Sequence, residues 1–309
     1  MANLGKFQDP WVTAKGERRA QVKLARLETL WFNTGTLCNL TCRNCYIESS
    51  PRNDRLAYLT RAEVRAFLDE IACDQLPTRL IGFTGGEPFM NPDLAGMLED
   101  VLARGLDALV LTNAMKPMRK RRGELCALRD RYGARLTIRV SVDHYSKRVH
   151  EAERGARSWE PTFEGLLWLM REGFHVHVAS RRLTAEPESD LRAGFARLFR
   201  EHDIPIDAAD PIALMVFPEM DASRDVPEIT EACWGILGRD PQSVMCASAR
   251  MVVRRKGAAR PSVLACTLLP YDPRFELGAT LAEASGAVPL NHPHCAAFCV
   301  LGGAACSRG

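Results

Sequence analysis

The chain has 309 residues, of which 46% are hydrophobic and 26% are charged, and its formal net charge is +3. This composition excludes a mostly disordered chain because it can bury a sizeable core, and the small charge does not by itself indicate a nucleic-acid or membrane partner. No stretch reaches the roughly 20 uninterrupted apolar residues that span a bilayer, and the first residues carry no apolar signal core, so we expect a cytoplasmic protein.

Six predicted strands alternate with helices, after a polar and basic segment at residues 1–28 that we interpret as an extension or a short helix. The strands are predicted at 30–35, 79–84, 107–114, 136–143, 174–180 and 212–217. The first long helix begins at a capping box formed by Thr60 and Glu63. Strands separated by helices predict parallel βαβ units with right-handed crossovers, and hence an α/β fold.

Alternation within the strands favours a barrel over a flat sheet that is covered on both faces. Along residues 136–143, apolar side chains alternate with polar ones, which a sheet buried on both faces does not tolerate. A barrel whose inner face holds a polar ligand tolerates this alternation. The catalytic groups of such barrels lie at the carboxyl ends of the strands. The glycine turn after Thr84, together with Asn113 and Asp143, falls at such ends.

The pattern changes after about residue 230. Residues 249–266 are typical of two strands joined by a turn around Gly257, and the remaining tail is rich in loops. We therefore place a boundary near 223–230. This divides the chain into an extension at 1–28, a barrel at 29–230 and a small cysteine-rich α+β domain at 231–309.

The eleven cysteines fall mainly into two groups at opposite ends of the chain. In a reducing compartment they are thiols or metal ligands rather than disulfides. Cys38, Cys42 and Cys45 follow the first predicted strand, and three thiolates leave one position of a metal site open for a small molecule. The alternative is a zinc site that a distant residue completes.

The spacing C-x3-C-x2-C followed by Tyr46 resembles the signature loop of radical S-adenosylmethionine (radical SAM) enzymes. The resemblance implies a partial (β/α)6 TIM-like barrel and a [4Fe–4S] cluster that binds S-adenosylmethionine at its open iron. The segment from Thr84 to Pro88 is similar to the GGEP segment of that family. By this resemblance Gly85, Gly86 and Glu87 bind the methionine amino group of the cofactor, and Tyr46 and Asn113 also contact the cofactor. The likeness covers residues 29 to about 220.

The stretch from Val140 to Gly155 resembles the "SxDG…HD…RG" segment of one branch of the family. The resemblance implies that Ser141 and Arg154 contact the carboxylate or ribose of the cofactor. The chain departs from the pattern, because His144 follows Asp143 where glycine is usual and Glu151 stands where aspartate is usual. The alternative for Arg154 is a residue of a surface loop.

The second group of cysteines resembles the SPASM/twitch extension of the same family, in which a hairpin between two cysteines and further cysteines downstream hold an auxiliary [4Fe–4S] cluster. The candidate ligands are Cys246, Cys266, Cys295, Cys299 and Cys306. A full SPASM domain has more cysteines, so we expect one auxiliary cluster on Cys246, Cys266 and two of the last three. The alternatives are structural zinc and buried thiols.

The resemblance implies a radical SAM oxidoreductase that cleaves S-adenosylmethionine reductively and abstracts a substrate hydrogen. The outcome would be a two-electron oxidation or a crosslink in a ribosomal peptide or a small metabolite. A flavodoxin- or ferredoxin-type protein would supply electrons. Since 28 residues before the barrel are too few for a peptide-binding domain, a peptide would need a separate recognition partner. The alternatives are a nucleotide-cyclising enzyme of the molybdenum-cofactor type and a non-catalytic iron–sulfur electron carrier or scaffold.

Overall fold

The computed structural model describes residues 5–219, 221 and 224–303. Its strands are β1 Gln21–Val22, β2 Thr29–Asn33, β3 Leu80–Thr84, β4 Asp107–Thr112, β5 Leu136–Ser141, β6 His175–Arg181, β7 Leu214–Phe217, β8 Ala249–Val253, β9 Ser262–Leu264, β10 Glu276–Gly278 and β11 Val288–Pro289. Its helices are α1 Arg61–Cys73, α2 Leu94–Ala103, α3 Lys116–Arg119, α4 Arg122–Tyr132, α5 Lys147–Arg154, α6 Trp159–Arg171, α7 Glu188–Glu201, α8 Cys233–Leu237 and a C-terminal π-helix, Cys295–Leu301.

Nine strands form one sheet in the order β10-β9-β8-β2-β3-β4-β5-β6-β7. Strands β2 to β7 are parallel and follow one another in chain order, as the predicted βαβ units require. The expected α/β partial barrel with six strands is therefore confirmed.

The hairpin expected at 249–266 is present as β8 and β9, which pair antiparallel. Strand β8 also pairs parallel with β2 and so extends the barrel sheet. The domain boundary between residues 230 and 231 remains a prediction. The regions on its two sides share one sheet.

The barrel strands bury one face under the helices and turn the other inward. Val140 of β5 and Val178 of β6 belong to the apolar core between sheet and helices, whereas Ser141 and Ala179 border an inner cavity. The period of two predicted from the sequence is thus present. The capping box of α1 is also present: Thr60 N–H donates to Glu63 Oε2 (2.8 Å), and Glu63 N–H donates to Thr60 Oγ1 (3.2 Å).

The N-terminal segment packs against the C-terminal region, and β1 pairs antiparallel with β11. In residues 5–28 it forms this short strand and turns rather than a short helix. Arg19 is fully buried and donates to Glu228 (2.5 Å) and to the carbonyl of Leu290 (3.3 Å). No helix in the described part of the chain is both long and apolar enough to cross a membrane.

We expect Arg19→Ala to destabilise the protein strongly, because it leaves the carboxylate of Glu228 buried without its cation. Breaking a buried ion pair costs about 3–5 kcal/mol, whereas an exposed pair contributes less than about 1 kcal/mol. The neighbouring Arg18 is a matched control, since its side chain is 79% exposed and pairs with Glu231 at the surface. Urea unfolding of both alanine variants measures the difference, and equal unfolding free energies would contradict the prediction.

Candidate functional site

A cavity lies at the carboxyl ends of the barrel strands. Most of the residues proposed as site residues in the barrel border it, namely Cys38, Cys42, Cys45, Tyr46, Gly85, Gly86, Asn113, Ser141 and Arg154. The fold therefore brings together residues that are more than 100 positions apart in the sequence.

The three cysteines lie on the loop between β2 and α1. Leu40 N–H donates to Cys38 Sγ (3.4 Å), and Ser49 N–H donates to Cys45 Sγ (3.4 Å). Burial, and to a smaller extent the charge of Glu87, raises the pKa of Cys38 to about 12. Burial raises the pKa of Cys42 to about 11, although the charge of Arg154 lowers it. Because a metal binds the thiolate form, metal binding at these thiols would release their protons.

The donor set fits an iron–sulfur cluster, because thiolates are its usual protein ligands and all three thiols face one cavity. In the part of the chain that the structure describes, no three Cys, His, Asp or Glu side chains converge closely enough to hold a single metal ion. The fit thus rests on the chemistry of the thiols and on their shared cavity.

A carboxylate on α5 holds the cysteine loop from the side. Glu153 is buried, and its carboxylate accepts from Asn44 N–H (2.9 Å) and Asn44 Nδ2 (3.1 Å). Arg181 donates to the same carboxylate (2.7 Å) and also borders the cavity. Sequence reasoning missed both residues, although the inward alternation of β6 places Arg181 on the cavity side. No local pattern marks Glu153.

The C-terminal region holds the other end of the loop. Tyr271 Oη donates to the carbonyl of Ile47 (2.7 Å) and accepts from Asn53 Nδ2 (3.2 Å). The guanidinium of Arg55 lies over the Tyr271 ring, 3.6 Å from its centroid. The cysteine loop is therefore fixed from both the barrel and the C-terminal region, which the sequence did not indicate.

The two glycines of the GGEP segment are needed for contact with the cysteine loop. A Cβ at Gly85 would lie 2.4 Å from the carbonyl oxygen of Gly35, and one at Gly86 would lie 2.2 Å from that of Leu37. Gly85 also has a φ of +135°, which disfavours other residues. The resemblance assigns these glycines to a cofactor, and the structure gives them a second role in packing two loops together.

We expect Gly86→Ala to displace the cysteine loop, because the backbone of Leu37 cannot move away as a flexible side chain would. Overpacking of this kind costs roughly 1–3 kcal/mol. Gly123→Ala is the control, since a Cβ at Gly123 meets no atom of the described chain beyond its own helix within 4 Å. Iron bound after anaerobic reconstitution and the free energy of unfolding should both fall in Gly86→Ala but not in Gly123→Ala. Normal iron binding by Gly86→Ala would contradict this.

Glu87 lies behind the cavity wall and joins the ends of β3 and β4. Its carboxylate accepts from Thr112 Oγ1 (2.8 Å), Asn113 N–H (2.9 Å) and Phe89 N–H (3.2 Å). Burial raises the pKa of Glu87 to about 7 although these donors oppose it. The contact with the cofactor's amino group stays a prediction, and what the structure shows is a buried carboxyl that positions Asn113.

Asn113 reaches the cysteine loop directly. Its Nδ2 donates to Asn39 Oδ1 (2.9 Å) and lies 3.9 Å from Cys38 Sγ. The next residue, Ala114, has a φ of +58°, in the left-handed region that favours glycine.

Arg154 borders the cavity with its guanidinium already engaged. Its Nε and Nη2 donate to the two oxygens of Asp143 at 2.8 and 2.9 Å. Burial raises the pKa of Asp143, but Arg154 more than offsets this, so the carboxyl stays below its usual pKa. The predicted contact with a cofactor carboxylate would use the remaining nitrogen. The alternative of a surface-loop arginine does not fit, because the side chain is 12% exposed.

A second, smaller cavity is bordered by cysteines of the C-terminal region. Cys246, Cys266, Cys295 and Cys299 all border it, together with His294. Burial raises the pKa of Cys246 to about 11 and that of Cys295 well above its usual value. This donor set also fits an iron–sulfur cluster. The fifth candidate, Cys306, lies outside the described residues.

Two curated proteins match parts of the chain. The antilisterial bacteriocin subtilosin biosynthesis protein AlbA of Bacillus subtilis (strain 168) is 32% identical over 143 residues, which are 46% of this chain and 30% of AlbA. A GTP 3′,8-cyclase of Tolumonas auensis is 26% identical over 151 residues, 48% of this chain and 43% of the cyclase. The chain thus matches less than half of the length of each relative.

A solved structure with a similar fold is that of Streptococcus suis SuiB bound to S-adenosylmethionine. It superposes with a TM-score of 0.60 at 11% identity, over 82% of this chain and 64% of SuiB. SuiB bound to its precursor peptide SuiA gives a TM-score of 0.57 over 80% of this chain and 61% of SuiB. The Radical SAM superfamily model matches residues 32–190, slightly more than half of the chain, including the cysteine loop and the GGEP segment. The chain therefore belongs to the radical SAM superfamily.

Proposed function

We propose that the protein is a radical SAM oxidoreductase that modifies a peptide. The observation that carries the proposal is a single cavity at the carboxyl ends of the parallel strands, bordered by Cys38, Cys42 and Cys45 on one side and by the ends of β3, β4 and β5 on the other. A cluster and a small cofactor placed there would adjoin each other.

Cys38, Cys42 and Cys45 would hold a [4Fe–4S] cluster, and the strand ends at Gly85–Gly86, Asn113 and Ser141 would hold S-adenosylmethionine. When bound, this pair supplies one-electron cleavage of the sulfonium to methionine and a 5′-deoxyadenosyl radical, which abstracts a hydrogen from the substrate. The protein itself would position these groups and exclude water from them.

Arg154 would act as a fixed positive charge beside the cysteine loop. Asp143 fixes the orientation of its guanidinium, and its charge lowers the pKa of Cys42 against the effect of burial. A cation here favours ionised thiols. Glu153 and Tyr271 would act as positioning residues, because they hold the loop backbone at Asn44 and Ile47.

The second cavity would hold one auxiliary [4Fe–4S] cluster on Cys246, Cys266, Cys295 and Cys299. These thiols border one space whose other lining residues are apolar apart from His294. The auxiliary cluster would accept the substrate electron, so that the net reaction is a two-electron oxidation or a crosslink. A flavodoxin- or ferredoxin-type protein would supply the electron for cleavage.

One relative and one protein of similar fold support a peptide as the substrate. One takes part in bacteriocin biosynthesis, and a protein of similar fold binds a precursor peptide. A small metabolite is the other possibility from the same chemistry.

Cyclisation of a nucleotide is the second candidate, since one relative is a GTP 3′,8-cyclase. A triphosphate needs cations that are open to it. Arg154 and Arg181 border the cavity, but Arg154 pairs with Asp143, and Arg181 pairs with Glu153 and Glu219. These pairings favour the peptide proposal.

The deciding experiment reconstitutes the protein with iron and sulfide without oxygen, reduces it with dithionite and adds S-adenosylmethionine. Formation of 5′-deoxyadenosine is expected, and its absence would overturn the radical SAM proposal and favour an electron carrier. GTP added to the same mixture should remain unchanged. A cyclised product from GTP would replace the peptide proposal with the second candidate.

A further inference from the structure

Arg250 of β8 is a buried cation to which the reaction described so far gives no role. Its side chain is 1% exposed. Its guanidinium donates to four backbone carbonyls, those of Cys246 (2.6 Å), Ala249 (2.8 Å), Ala284 (2.8 Å) and Gly286 (3.1 Å). These hydrogen bonds satisfy the N–H groups, but carbonyl groups carry no net charge and leave the positive charge of Arg250 unbalanced.

Arginines elsewhere inside the protein have carboxylate partners. Arg19 pairs with Glu228, and Arg154 pairs with Asp143. Within the residues that the structure describes, no carboxylate pairs with Arg250. Since a buried charge is costly unless it is paired, the burial of Arg250 indicates that negative charge of another kind lies near it.

The thiols of Cys246 and Cys266 are the acidic groups whose charges act on Arg250. Burial lowers the pKa of Arg250, and thiolates at these two positions oppose that effect. In return, burial raises the pKa of Cys246, and the charge of Arg250 lowers it. Both thiols border the second cavity, whereas Arg250 is not part of its lining. Arg250 would therefore act on a cluster in that cavity through its charge and not as a ligand.

Resting on the proposed function, we propose that Arg250 supplies the positive charge that balances the auxiliary cluster and raises its reduction potential. The potential of a thiolate-ligated cluster depends on its net charge and on the groups around it. One electron from the substrate radical would add a negative charge to the space near Arg250, while the substrate releases a proton. A fixed cation stabilises the reduced state more than the oxidised state, so it favours this electron transfer.

The test measures the midpoint potential of the auxiliary cluster in a triple variant with Cys38, Cys42 and Cys45 replaced by alanine, so that the barrel cluster adds no signal. The protein is reconstituted without oxygen, and electron paramagnetic resonance follows its reduction at a series of fixed potentials. In this background Arg250→Gln removes the charge and keeps an amide donor, whereas Arg250→Lys keeps the charge and loses most of the hydrogen bonds. Arg250→Gln should shift the midpoint potential to a more negative value, and Arg250→Lys should leave it near that of the triple variant.

Arg260→Gln is the matched control, since it removes the same charge from an exposed position between β8 and β9 and should leave the potential unchanged. An unchanged potential in Arg250→Gln would overturn the proposal. So would equal shifts in Arg250→Gln and Arg250→Lys, because the hydrogen bonds rather than the charge would then set the potential. If Arg250→Gln binds no iron, Arg250→Lys decides. A cluster with the potential of the triple variant supports the proposal, and loss of the cluster overturns it.

Iron analysis of the triple variant separates failure of this proposal from failure of the proposed function. A triple variant without iron would remove the auxiliary cluster from the proposed function, and with it the anion that Arg250 balances. About four irons per chain, together with a potential that does not respond to Arg250→Gln, would overturn the role of Arg250 alone.

Discussion

Replacing Cys38, Cys42 and Cys45 together with alanine should abolish formation of 5′-deoxyadenosine and lower the iron content from about eight to about four per chain, since each [4Fe–4S] cluster contributes about four. The three thiols border the cavity in which the strand ends would hold S-adenosylmethionine. Without them, the cluster that would deliver the electron to the sulfonium has no thiolate ligands. Iron analysis and chromatography of the reduced reaction mixture measure the two effects.

A cysteine outside both cavities provides the control for this experiment. Cys73 lies at the end of α1 and is exposed, so Cys73→Ala should keep both the iron and the activity. Wild-type iron near four per chain would show that one of the two cysteine sets does not bind a cluster. Turnover that survives in the triple variant would remove the cysteine loop from the reaction altogether.

The double substitution Cys246→Ala, Cys266→Ala should separate cleavage of the cofactor from formation of the product. Both thiols border the second cavity and neither borders the barrel cavity. The variant should therefore still release 5′-deoxyadenosine under strong reductant. Product formation should collapse, because the substrate radical loses its electron acceptor. Both products can be quantified in the same reaction with the peptide substrate.

Loss of folding is the competing explanation for such a collapse, because bound metal contributes folding energy to small loop-rich regions. Hydrogen exchange of β4 and β5, which lie far along the sheet from β8, reports on the barrel in the same sample. If the double variant shows native protection of these strands and full product turnover, the second cysteine set does not act through an electron acceptor.

Local sequence patterns predicted the elements that depend on local physics. The alternation of apolar and polar side chains along residues 136–143 predicted one of the barrel strands, and α1 follows from the capping box of Thr60 and Glu63 and the apolar spacing after it. The cysteine spacing predicted which thiols share a cavity, because Cys38, Cys42 and Cys45 are close in sequence and lie on one loop. In each case the information lies within about a dozen residues.

Features that join distant segments could not be predicted in this way. The parallel pairing of β8 with β2 joins residues more than 200 positions apart. The sequence pattern of β8 is the same whether the strand belongs to a separate domain or extends the barrel sheet. Glu153 and Tyr271 hold the cysteine loop through single hydrogen bonds that leave no periodic trace. The packing role of Gly86 depends on the backbone of Leu37, which no pattern around Gly86 contains.

The pairing of β8 with β2 has a consequence for how the protein can be divided. Strand β2 lies inside the sheet only because β8 covers one of its sides, and Leu30, Trp31 and Phe32 are fully buried there. A shortened chain that ended near residue 230 would leave β2 as a sheet edge with unpaired backbone groups and large apolar side chains beside it. Such edges promote aggregation between copies. Exchange of C-terminal regions between relatives should therefore carry β2 and β8 as one unit, so that the strand leading into Cys38 keeps its neighbour.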